Sequence, residues 1–501
     1  MVKFITSDRD LFNTEDIRAD LKKRSLRSSM YVMIGSVLSL LLSFGSTAIL
    51  ARLLIPEHFG LIGMILALTV IFERFKELGL NTATVQKKDI TLAQINILFW
   101  INTGIGIGIM LLLSGVSSLV AWFYEDQRLI WITISISTCF FWSGMMVQHR
   151  AILTKRMQFG RLTAADSMGS FLSIIIAVTL AFNGYGYWAL VWREITRNLF
   201  TAIGVWIACP WIPGKTSKDA DIRSLMRFGR DISGFNLIYY FSSSLDQILI
   251  GKFWGANILG LYRQAYQLIM LPLNYLTYPV QSVAEPAMSL LQNDDSKYRN
   301  YYRKILQLLS FVSLPLMCYI FIYSDDIILM LLGEQWTAAT EIFRILVLAN
   351  FLRPLMATTG FIMITRGETK KYFLVGVGSS VLIIIAVSTG VIWGATGVAW
   401  GYFISRMIFY LPMLLYSFKD TPVDIKFFFQ SISDAVIPSL IMSAAIYYLS
   451  LNLWTDISVL RIAVSLPVAA VVYLLIWIIL PQGPDKLKEN ISDFLTTFRK
   501  Q

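Results

Sequence analysis

The sequence predicts an all-α polytopic membrane protein of about 14 transmembrane helices, arranged as two parallel six-helix lobes plus a C-terminal helix pair. The first observation behind this prediction is composition, since 56% of the 501 residues are apolar and only 15% are charged. Average soluble domains hold about 25% charged residues, so an ordinary cytosolic enzyme is excluded. The second observation is that the apolar residues form long runs, and the third is a weak internal repeat of these runs.

The apolar runs have the length of about 20 residues that a membrane-spanning helix needs. A membrane β-barrel would show runs of about 10 residues with alternating polarity, so that architecture is excluded. No cleavable signal peptide is expected, because a charged segment precedes the first run and that run is too long. In chain order, the predicted spans are Met30–Leu50, Phe59–Leu78, Gln94–Trp122, Leu129–Gln148, Ala164–Phe182, Tyr187–Ala208, Ile232–Phe253, Ile258–Val283, Ile305–Tyr323, Ala338–Met363, Tyr372–Trp393, Val398–Phe418, Ile432–Leu451 and Ser458–Leu480.

The loops between these runs differ in charge from one side of the membrane to the other. With a cytoplasmic N-terminus, the inner loops carry most of the Lys and Arg, and the outer loops and their edges hold only Arg52, Arg128, Lys252, Arg263 and Arg461. The positive-inside rule then predicts that both termini are cytoplasmic. We attribute the net charge of +11 to this topology and to contacts with anionic membrane lipids, rather than to nucleic-acid binding.

The longest loop follows the sixth span and contains Pro210, Pro213 and Gly214. No loop is long enough for a soluble domain and no cluster of catalytic carboxylates is present, so an enzyme is not expected. The predicted division is a basic cytoplasmic segment 1–29, an N-terminal lobe 30–208, a cytoplasmic linker 209–231, a C-terminal lobe 232–418, spans thirteen and fourteen at 432–480, and a cytoplasmic tail 481–501.

The internal repeat links the first two spans to the seventh and eighth. Ile49–Leu61 aligns without gaps to Leu249–Leu261, which pairs Gly60 with Gly260. Further matches later in the two lobes have a similar offset. Because each lobe has an even number of spans, both lobes begin on the same side, and the repeat is parallel. Repeats of this kind are related by an axis along the membrane normal and place the binding site between the halves.

Three segments carry a resemblance to a known family. They are Ala51–Gly60 (ARLLIPEHFG), Ile152–Phe159 and Gly184–Ala189, and they resemble the signature segments of polysaccharide transporters in the MOP superfamily. The chain is most similar to the Wzx-type flippases of lipid-linked oligosaccharides, in the branch of colanic and teichuronic acid exporters. The resemblance implies a two-lobed, MATE/MOP-like fold of twelve core helices with an extra pair. It also implies a multi-pass protein of the bacterial cytoplasmic (inner) membrane.

The resemblance implies an activity as well. This is the translocation of undecaprenyl-diphosphate-linked oligosaccharide repeat units from the inner to the outer leaflet, by alternating access through a cationic central cavity, for capsule, exopolysaccharide or O-antigen. A polysaccharide polymerase with its chain-length machinery would be a partner, and H⁺ or Na⁺ would be the ion if transport is ion-coupled. The oligosaccharide stays open, as does the driving force, which is either an ion gradient or downhill consumption of the substrate. Two other functions also stay open, a MATE-like cation or drug antiporter with an acidic or aromatic cavity, and a non-catalytic scaffold for polysaccharide assembly.

Charged residues inside the predicted spans form the candidate site, because a central Arg, Lys or Asp costs about 2.5–3.5 kcal/mol on insertion scales. A diphosphate that crosses a low-dielectric slab needs cations, and Arg binds phosphate oxygens through paired hydrogen bonds. The candidate substrate-binding residues are Arg193, Arg197, Arg263, Arg344, Arg353 and Arg406. The candidate coupling or gating residues are Asp246, Glu73, Glu77, Arg52 and Lys252.

Structural roles for these charges stay open too. Asp246 is either a coupling site or a counter-ion to an arginine. Arg344 and Arg353 are about two and a half helical turns apart, so both reach one cavity only if the helix breaks, and Pro354 can supply that break. No cofactor or metal is expected, because the chain has two His and three Cys and no CxxC spacing.

Overall fold

The computed structural model describes residues 21–77, 84–85, 90–215, 223–452, 457–480, 483–484 and 488. Within these ranges every regular element is helical, including two short 3₁₀ helices, Glu334–Trp336 and Val391–Trp393. The all-α architecture predicted from composition and run length is therefore confirmed. In chain order, the α-helices are α1 (Leu21–Leu53), α2 (Pro56–Glu77), α3 (Leu92–Gly115), α4 (Ser117–Tyr124), α5 (Arg128–Lys155), α6 (Phe159–Phe182), α7 (Tyr187–Ala208), α8 (Arg223–Leu290), α9 (Asp295–Ile322), α10 (Ser324–Leu331), α11 (Ala339–Asn350), α12 (Arg353–Thr365), α13 (Thr369–Gly390), α14 (Gly394–Phe418), α15 (Ile425–Asn452) and α16 (Ser458–Ile479).

The fourteen predicted spans lie within these helices, to within one residue at their ends, and the eleventh span ends in the 3₁₀ helix Val391–Trp393. Leu78, the last residue of the second predicted span, lies outside the described residues. The third span is interrupted at Val116 and the tenth at Phe351 and Leu352. The seventh and eighth spans both lie in α8, where Gly255 (φ 76°, ψ −179°) interrupts the helix. In the described part of the chain, nine helical stretches are long and apolar enough to cross a membrane. The chain is thus a multi-pass membrane protein.

The chain divides into two compact units, residues 1–260 and 261–500, and each is described by itself. In the first unit, α5 packs against α3 and α7, and α6 packs against α1 and α7. Glycines permit the approach of α3 to α5, because a Cβ on Gly144 would lie 2.8 Å from the carbonyl oxygen of Asn102. Close van der Waals contact of this kind holds membrane helices together, since lipid tails are as apolar as the helices themselves.

The segment after α7 folds back onto the first unit. Trp211 is 3% exposed, and its carbonyl oxygen accepts a hydrogen bond from His149 Nε2 at 3.2 Å. Gly214 N donates to Asn96 Oδ1 at 3.0 Å, and Trp100 Nε1 donates to the Gly214 carbonyl at 3.0 Å. The predicted linker 209–231 therefore begins in a segment fixed to α3 and α5. Residues 216–222 of that linker lie outside the described residues, and the predicted division into lobes stays a prediction.

The repeat between residues 49–61 and 249–261 has a structural counterpart inside the first unit. A Cβ on Gly60 would overlap the carbonyl oxygen of Ala256, and a Cβ on Gly260 would overlap that of Pro56. Ala256 is the repeat equivalent of Pro56, as Gly260 is of Gly60, so the two contacts are the same contact seen from either side. This reciprocal contact is called the glycine crossing below. Only glycine on both sides allows the backbones to come this close.

The second unit is built around α9. This helix packs against α12 and α15, and its buried aromatic residues form polar contacts as well as apolar ones. Tyr302 Oη lies 2.8 Å from Thr358 Oγ1, and Tyr319 Oη lies 2.9 Å from Ser465 Oγ on α16. Helix α14 packs against α11, α12 and α13. The C-terminal pair α15–α16 is therefore part of the packed core of this unit.

Candidate functional site

Helix α7 carries three charges of the first unit, Arg193, Glu194 and Arg197. The helix begins after Gly186, whose φ of 56° is rare for a residue with a side chain. Its regular geometry then places Arg193 and Arg197 one turn apart on one face, as predicted. Arg197 Nη2 lies 3.0 Å from Glu194 Oε2, and the Arg197 side chain is 48% exposed. One arginine of this face is thus paired with a carboxylate of its own helix.

A second ion pair of the first unit joins α5 to α6 and was missed by the sequence analysis. Arg150 Nη1 donates to Asp166 Oδ1 at 2.6 Å, and Arg150 Nη2 donates to Asp166 Oδ2 at 3.0 Å. Two parallel charge-assisted hydrogen bonds of this kind are strong and directional. A single carboxylate within the predicted span Ala164–Phe182 is the signal that points to it.

The predicted coupling and gating carboxylates differ in their surroundings. Asp246 is 1% exposed, and its Oδ1 accepts a hydrogen bond from the backbone nitrogen of Gln247 at 2.8 Å. Glu73 is exposed on α2, and the side chain of Glu77 lies outside the described residues. The burial of Asp246 agrees with both of its open interpretations, so these roles stay predictions.

At the predicted outer end of the first unit, Lys252 is paired and Arg52 is exposed. Lys252 Nζ lies 2.6 Å from Glu125 Oε1 and 5.5 Å from the centre of the Phe123 ring. The hydrogen bond from Lys252 lowers the pKa of the Glu125 carboxyl below its ordinary value. Since Lys252 follows α4 by more than a hundred residues, this pair ties two distant parts of the unit together.

A second ionic group at the same end is centred on Arg128. Its Nη2 lies 2.6 Å from Glu57 Oε1 and 2.7 Å from Asp126 Oδ2. The hydrogen bond from Arg128 lowers the pKa of the Asp126 carboxyl. Arg128 thereby joins the start of α5 to the start of α2. Glu57, its partner on α2, lies close in sequence to Gly60 of the glycine crossing.

In the second unit, two of the predicted arginines meet. Helix α11 ends at Asn350 and α12 begins at Arg353, so the break predicted from Pro354 is present. Arg406 reaches this break from α14, and its Nη1 donates to Asn350 Oδ1 at 2.6 Å and to the Ala349 carbonyl at 3.1 Å. Arg353 Nη1 lies 3.5 Å from the same Asn350 Oδ1. Both guanidinium groups are half-buried.

The remaining predicted arginines of the second unit are placed differently. Arg344 Nη2 lies 2.6 Å from Asp325 Oδ2 on α10, and the two side chains are 43% and 60% exposed. Arg344 is therefore in a surface ion pair and apart from Arg353. Arg263 is half-buried on the second part of α8. Their predicted substrate-binding roles stay predictions.

Asn350 is a residue of this group that the sequence analysis missed. The signal for it is weak, since it is one amide among the apolar residues of α11, three positions before Arg353.

In the described ranges, no group of three or more His, Cys, Asp or Glu side chains is placed to hold a metal ion.

Comparison with known proteins places these observations in a family context. Residues 49–341 match the family model described as polysaccharide biosynthesis protein. This matched region covers more than half of the chain. It begins at Ile49, the residue at which the segment of the internal repeat also begins.

Two curated relatives match over most of their length. The chain is 26% identical over 431 residues to the teichuronic acid biosynthesis protein TuaB of Bacillus subtilis (strain 168), which covers 84% of this chain and 88% of TuaB. It is 21% identical over 395 residues to the lipopolysaccharide biosynthesis protein WzxC of Escherichia coli (strain K12), which covers 77% of this chain and 80% of WzxC.

The fold is also found among solved structures. The inward closed conformation of the lipid II flippase MurJ superposes with a TM-score of 0.73 at 16% identity, covering 89% of this chain and 97% of the MurJ chain. At this level of identity the likeness shows the fold alone.

Proposed function

The chain belongs to the family described as polysaccharide biosynthesis protein, and from this premise we propose that it is a lipid-linked oligosaccharide flippase of the MOP superfamily. It moves undecaprenyl-diphosphate-linked repeat units from the inner to the outer leaflet of the bacterial cytoplasmic membrane, with both termini in the cytoplasm. The names of TuaB and WzxC support a role in surface-polysaccharide biosynthesis. The name of MurJ, a lipid II flippase with the same fold, supports movement of a lipid-linked substrate.

The single observation that carries the proposal is the meeting of Arg353 and Arg406 in the second unit. A cation placed within membrane helices costs about 2.5–3.5 kcal/mol and is retained only where something binds it. Arg406 is held by a carbonyl and an amide oxygen, which are neutral, so its positive charge is not cancelled. A diphosphate is the group that such a charge would bind during translocation, because Arg offers it paired hydrogen bonds.

The other predicted residues complete the proposed mechanism. Alternating access moves the sugar and the diphosphate past the arginines, and the polyprenyl tail stays in lipid. Arg193 and Arg263 are further candidate substrate contacts. Arg197 and Arg344 are also candidates, but each would first have to leave its carboxylate partner. Asp246 is the candidate site of the coupling ion, H⁺ or Na⁺. The candidate gating residues, which would control access to the transport path, are Glu73, Glu77, Arg52 and Lys252. A polysaccharide polymerase with its chain-length machinery then uses the translocated unit. The mass of the precursor that accumulates without this protein would identify the oligosaccharide.

The test is mass spectrometry of polyprenyl-diphosphate lipids from cells that lack this protein, combined with a glycosidase added on the periplasmic side. We expect a complete repeat unit to accumulate and to be protected from the glycosidase. Its mass then names the substrate. If no precursor accumulates and the surface polysaccharide is unchanged, the proposal is wrong and the cation or drug antiporter takes its place.

Complementation of these cells tests the observation that carries the proposal. Arg353→Gln and Arg406→Gln are each expected to reduce export at least about tenfold, because a hydrogen bond to a charged group contributes about 1.5–3 kcal/mol. The matched control is Arg299→Gln, which removes an arginine that lies 3.7 Å from Asp424 and is not part of the proposed path. Full export by both test variants, at membrane levels equal to those of the control, would contradict the assignment of these arginines to the substrate.

A further inference from the structure

We propose that Asn350 is a positioning residue that holds Arg353 and Arg406 side by side, and that the three residues form one site for an oxyanion. This inference rests on the proposed function, because it names the element of the second unit that recognises the anionic part of the substrate. The ligand chemistry is an oxyanion with at least two oxygens, either the diphosphate of the lipid carrier or the carboxylate of an acidic sugar.

The first step of the argument is the fixed orientation of the Asn350 amide. Asn350 is 1% exposed, and its Nδ2 donates to the Leu346 carbonyl at 2.8 Å. The amide nitrogen is thereby used within α11, and Oδ1 points to the arginines. The opposite amide orientation would place N–H donors against guanidinium donors, which is unfavourable. The residue therefore offers one acceptor in one place.

The second step is that both guanidinium groups lie at this acceptor, Arg406 in a short hydrogen bond and Arg353 at the outer limit of one, with Met270 Sδ as a nearer contact of Arg353 at 2.5 Å. Arg406 Nη1 donates to Asn350 Oδ1 at 2.6 Å, and Arg353 Nη1 lies 3.5 Å from it. Two guanidinium groups that share one oxygen are neighbours, although like charges at short range repel each other. The shared oxygen offsets part of this repulsion, and a bound oxyanion would offset much more of it.

The third step is the helix break. Because α11 ends at Asn350, its last carbonyl groups lack partners inside the helix. Arg406 Nη1 donates to one of them, the Ala349 carbonyl, at 3.1 Å, and its guanidinium lies 5.5 Å from the centre of the Tyr402 ring. These contacts fix the Arg406 side chain before any ligand arrives. A fixed guanidinium loses less side-chain entropy on binding than a mobile one.

The fourth step is that, among the described residues, the side chain of Arg406 has neutral hydrogen-bond partners and is in no ion pair with a carboxylate. Arg150, Arg197 and Arg344 each pair with a carboxylate. The described hydrogen bonds of Arg406 go instead to neutral groups, which are the Ala349 carbonyl, the Asn350 amide oxygen and the Tyr410 hydroxyl. An aspartate at position 350 would hold both arginines more tightly but would cancel one positive charge. An asparagine positions them and leaves the charge for a ligand, and this distinction defines the test.

The experiment measures binding of two probes to the purified full-length protein in nanodiscs, for wild type, Asn350→Asp, Asn350→Ala, Arg406→Gln and the control Arg299→Gln. The probes are undecaprenyl diphosphate and a uronic acid trisaccharide without lipid. Thermal unfolding of each variant is recorded without probe. We expect Asn350→Asp to weaken binding of one probe at least tenfold, as Arg406→Gln does, while its unfolding temperature stays close to that of the wild type.

Loss confined to undecaprenyl diphosphate identifies the diphosphate as the oxyanion, and loss confined to the trisaccharide identifies the sugar carboxylate. If Asn350 were only structural, Asn350→Ala would lower the unfolding temperature and Asn350→Asp would bind both probes like the wild type, which would overturn the proposal. Unchanged binding in Arg406→Gln would overturn the whole site. These outcomes are read on purified protein, so they are distinct from a failure of precursor to accumulate in cells.

Discussion

At the residue scale, the partner of a charged side chain determines whether its charge is neutralised or stays available to a ligand. Arg197 and Arg150 are paired with the carboxylates of Glu194 and Asp166, so these groups are close to neutral and join neighbouring turns or helices. Arg406 is held by neutral oxygens and stays cationic. Arg197 and Arg406 both lie within predicted spans, where insertion of a charge is costly. The partner of Arg197 is on its own helix, but those of Arg150 and Arg406 lie on other helices, which the local sequence does not identify.

A prediction at this scale concerns the pair of Glu125 and Lys252. The pKa of Glu125 is lowered by the hydrogen bond from Lys252, so the pair stabilises the fold above the unfolded-state pKa of about 4.3 and is lost as the pH falls. We expect Glu125→Gln to lower the unfolding temperature at pH 7 by at most about 2 °C, because exposed ion pairs contribute little.

The measurement is thermal unfolding in detergent between about pH 2.5 and pH 7.5. The difference between wild type and Glu125→Gln should close only as the pH falls through the lowered pKa of Glu125, below which the Glu125 carboxyl is protonated and as neutral as the glutamine that replaces it. The double exchange of Glu125→Lys with Lys252→Glu should recover stability that each single exchange loses. A difference that does not vary with pH would mean that the charge of Glu125 contributes nothing.

At the element scale, the glycine crossing turns a weak sequence repeat into a testable contact. Gly60→Ala and Gly260→Ala each place a Cβ on a backbone carbonyl of the opposite segment, which cannot rotate away as a side chain can. Each substitution is expected to cost about 1–3 kcal/mol, the usual range for overpacking. Because both act on the same contact, their effects in the double variant should not add.

The readout for these variants is the unfolding temperature and the amount of folded protein in the membrane. Gly104→Ala is the matched control, since a Cβ on this glycine of α3 would meet nothing within 4 Å. It should be neutral or slightly stabilising, because alanine favours the helix over glycine. Equal effects of Gly60→Ala and Gly104→Ala would show that the crossing is not tight.

The C-terminal helix pair makes a second prediction at this scale. Trp477 on α16 is 2% exposed and packs on the ring of Phe311 in α9, with 5.5 Å between the ring centres. Trp477→Ala should destabilise the protein by about 1–3 kcal/mol. This is below the roughly 3–5 kcal/mol typical of a water-soluble core, because only van der Waals packing is lost in lipid.

The control for this prediction is Trp131→Ala, at a side chain that is 65% exposed. It should leave the unfolding temperature nearly unchanged, and denaturation in mild detergent measures both variants. An equally small effect of Trp477→Ala would mean that α16 is only loosely attached to the second unit.

At the scale of the whole molecule, the sequence predicts best what depends on local hydrophobicity. The fourteen spans follow from run length. The interruption at Gly255 lies between the seventh and eighth predicted spans, and the break between α11 and α12 is one that Pro354 could supply. The contacts of Ser465 with Tyr319 and of Arg406 with Asn350 join residues that are 146 and 56 positions apart. The pairing of Asp166 with Arg150 joins two successive helices. Such pairings depend on helix packing, and one sequence without its relatives does not reveal them.

The last prediction concerns the orientation of the chain in the membrane, which rests on the distribution of Lys and Arg. With the three native cysteines replaced, single cysteines are placed at four exposed positions. Gln127 and Thr337 are predicted to lie outside, and Asn293 and Thr369 inside, next to the basic loops. A membrane-impermeant maleimide should label the first two sites on spheroplasts and the other two only after lysis. Because an even number of predicted spans separates Gln127 from Thr337, labelling of only one of them would contradict the span count. Labelling of Asn293 and Thr369 from outside would instead reverse the orientation, and with it the direction of the proposed transport.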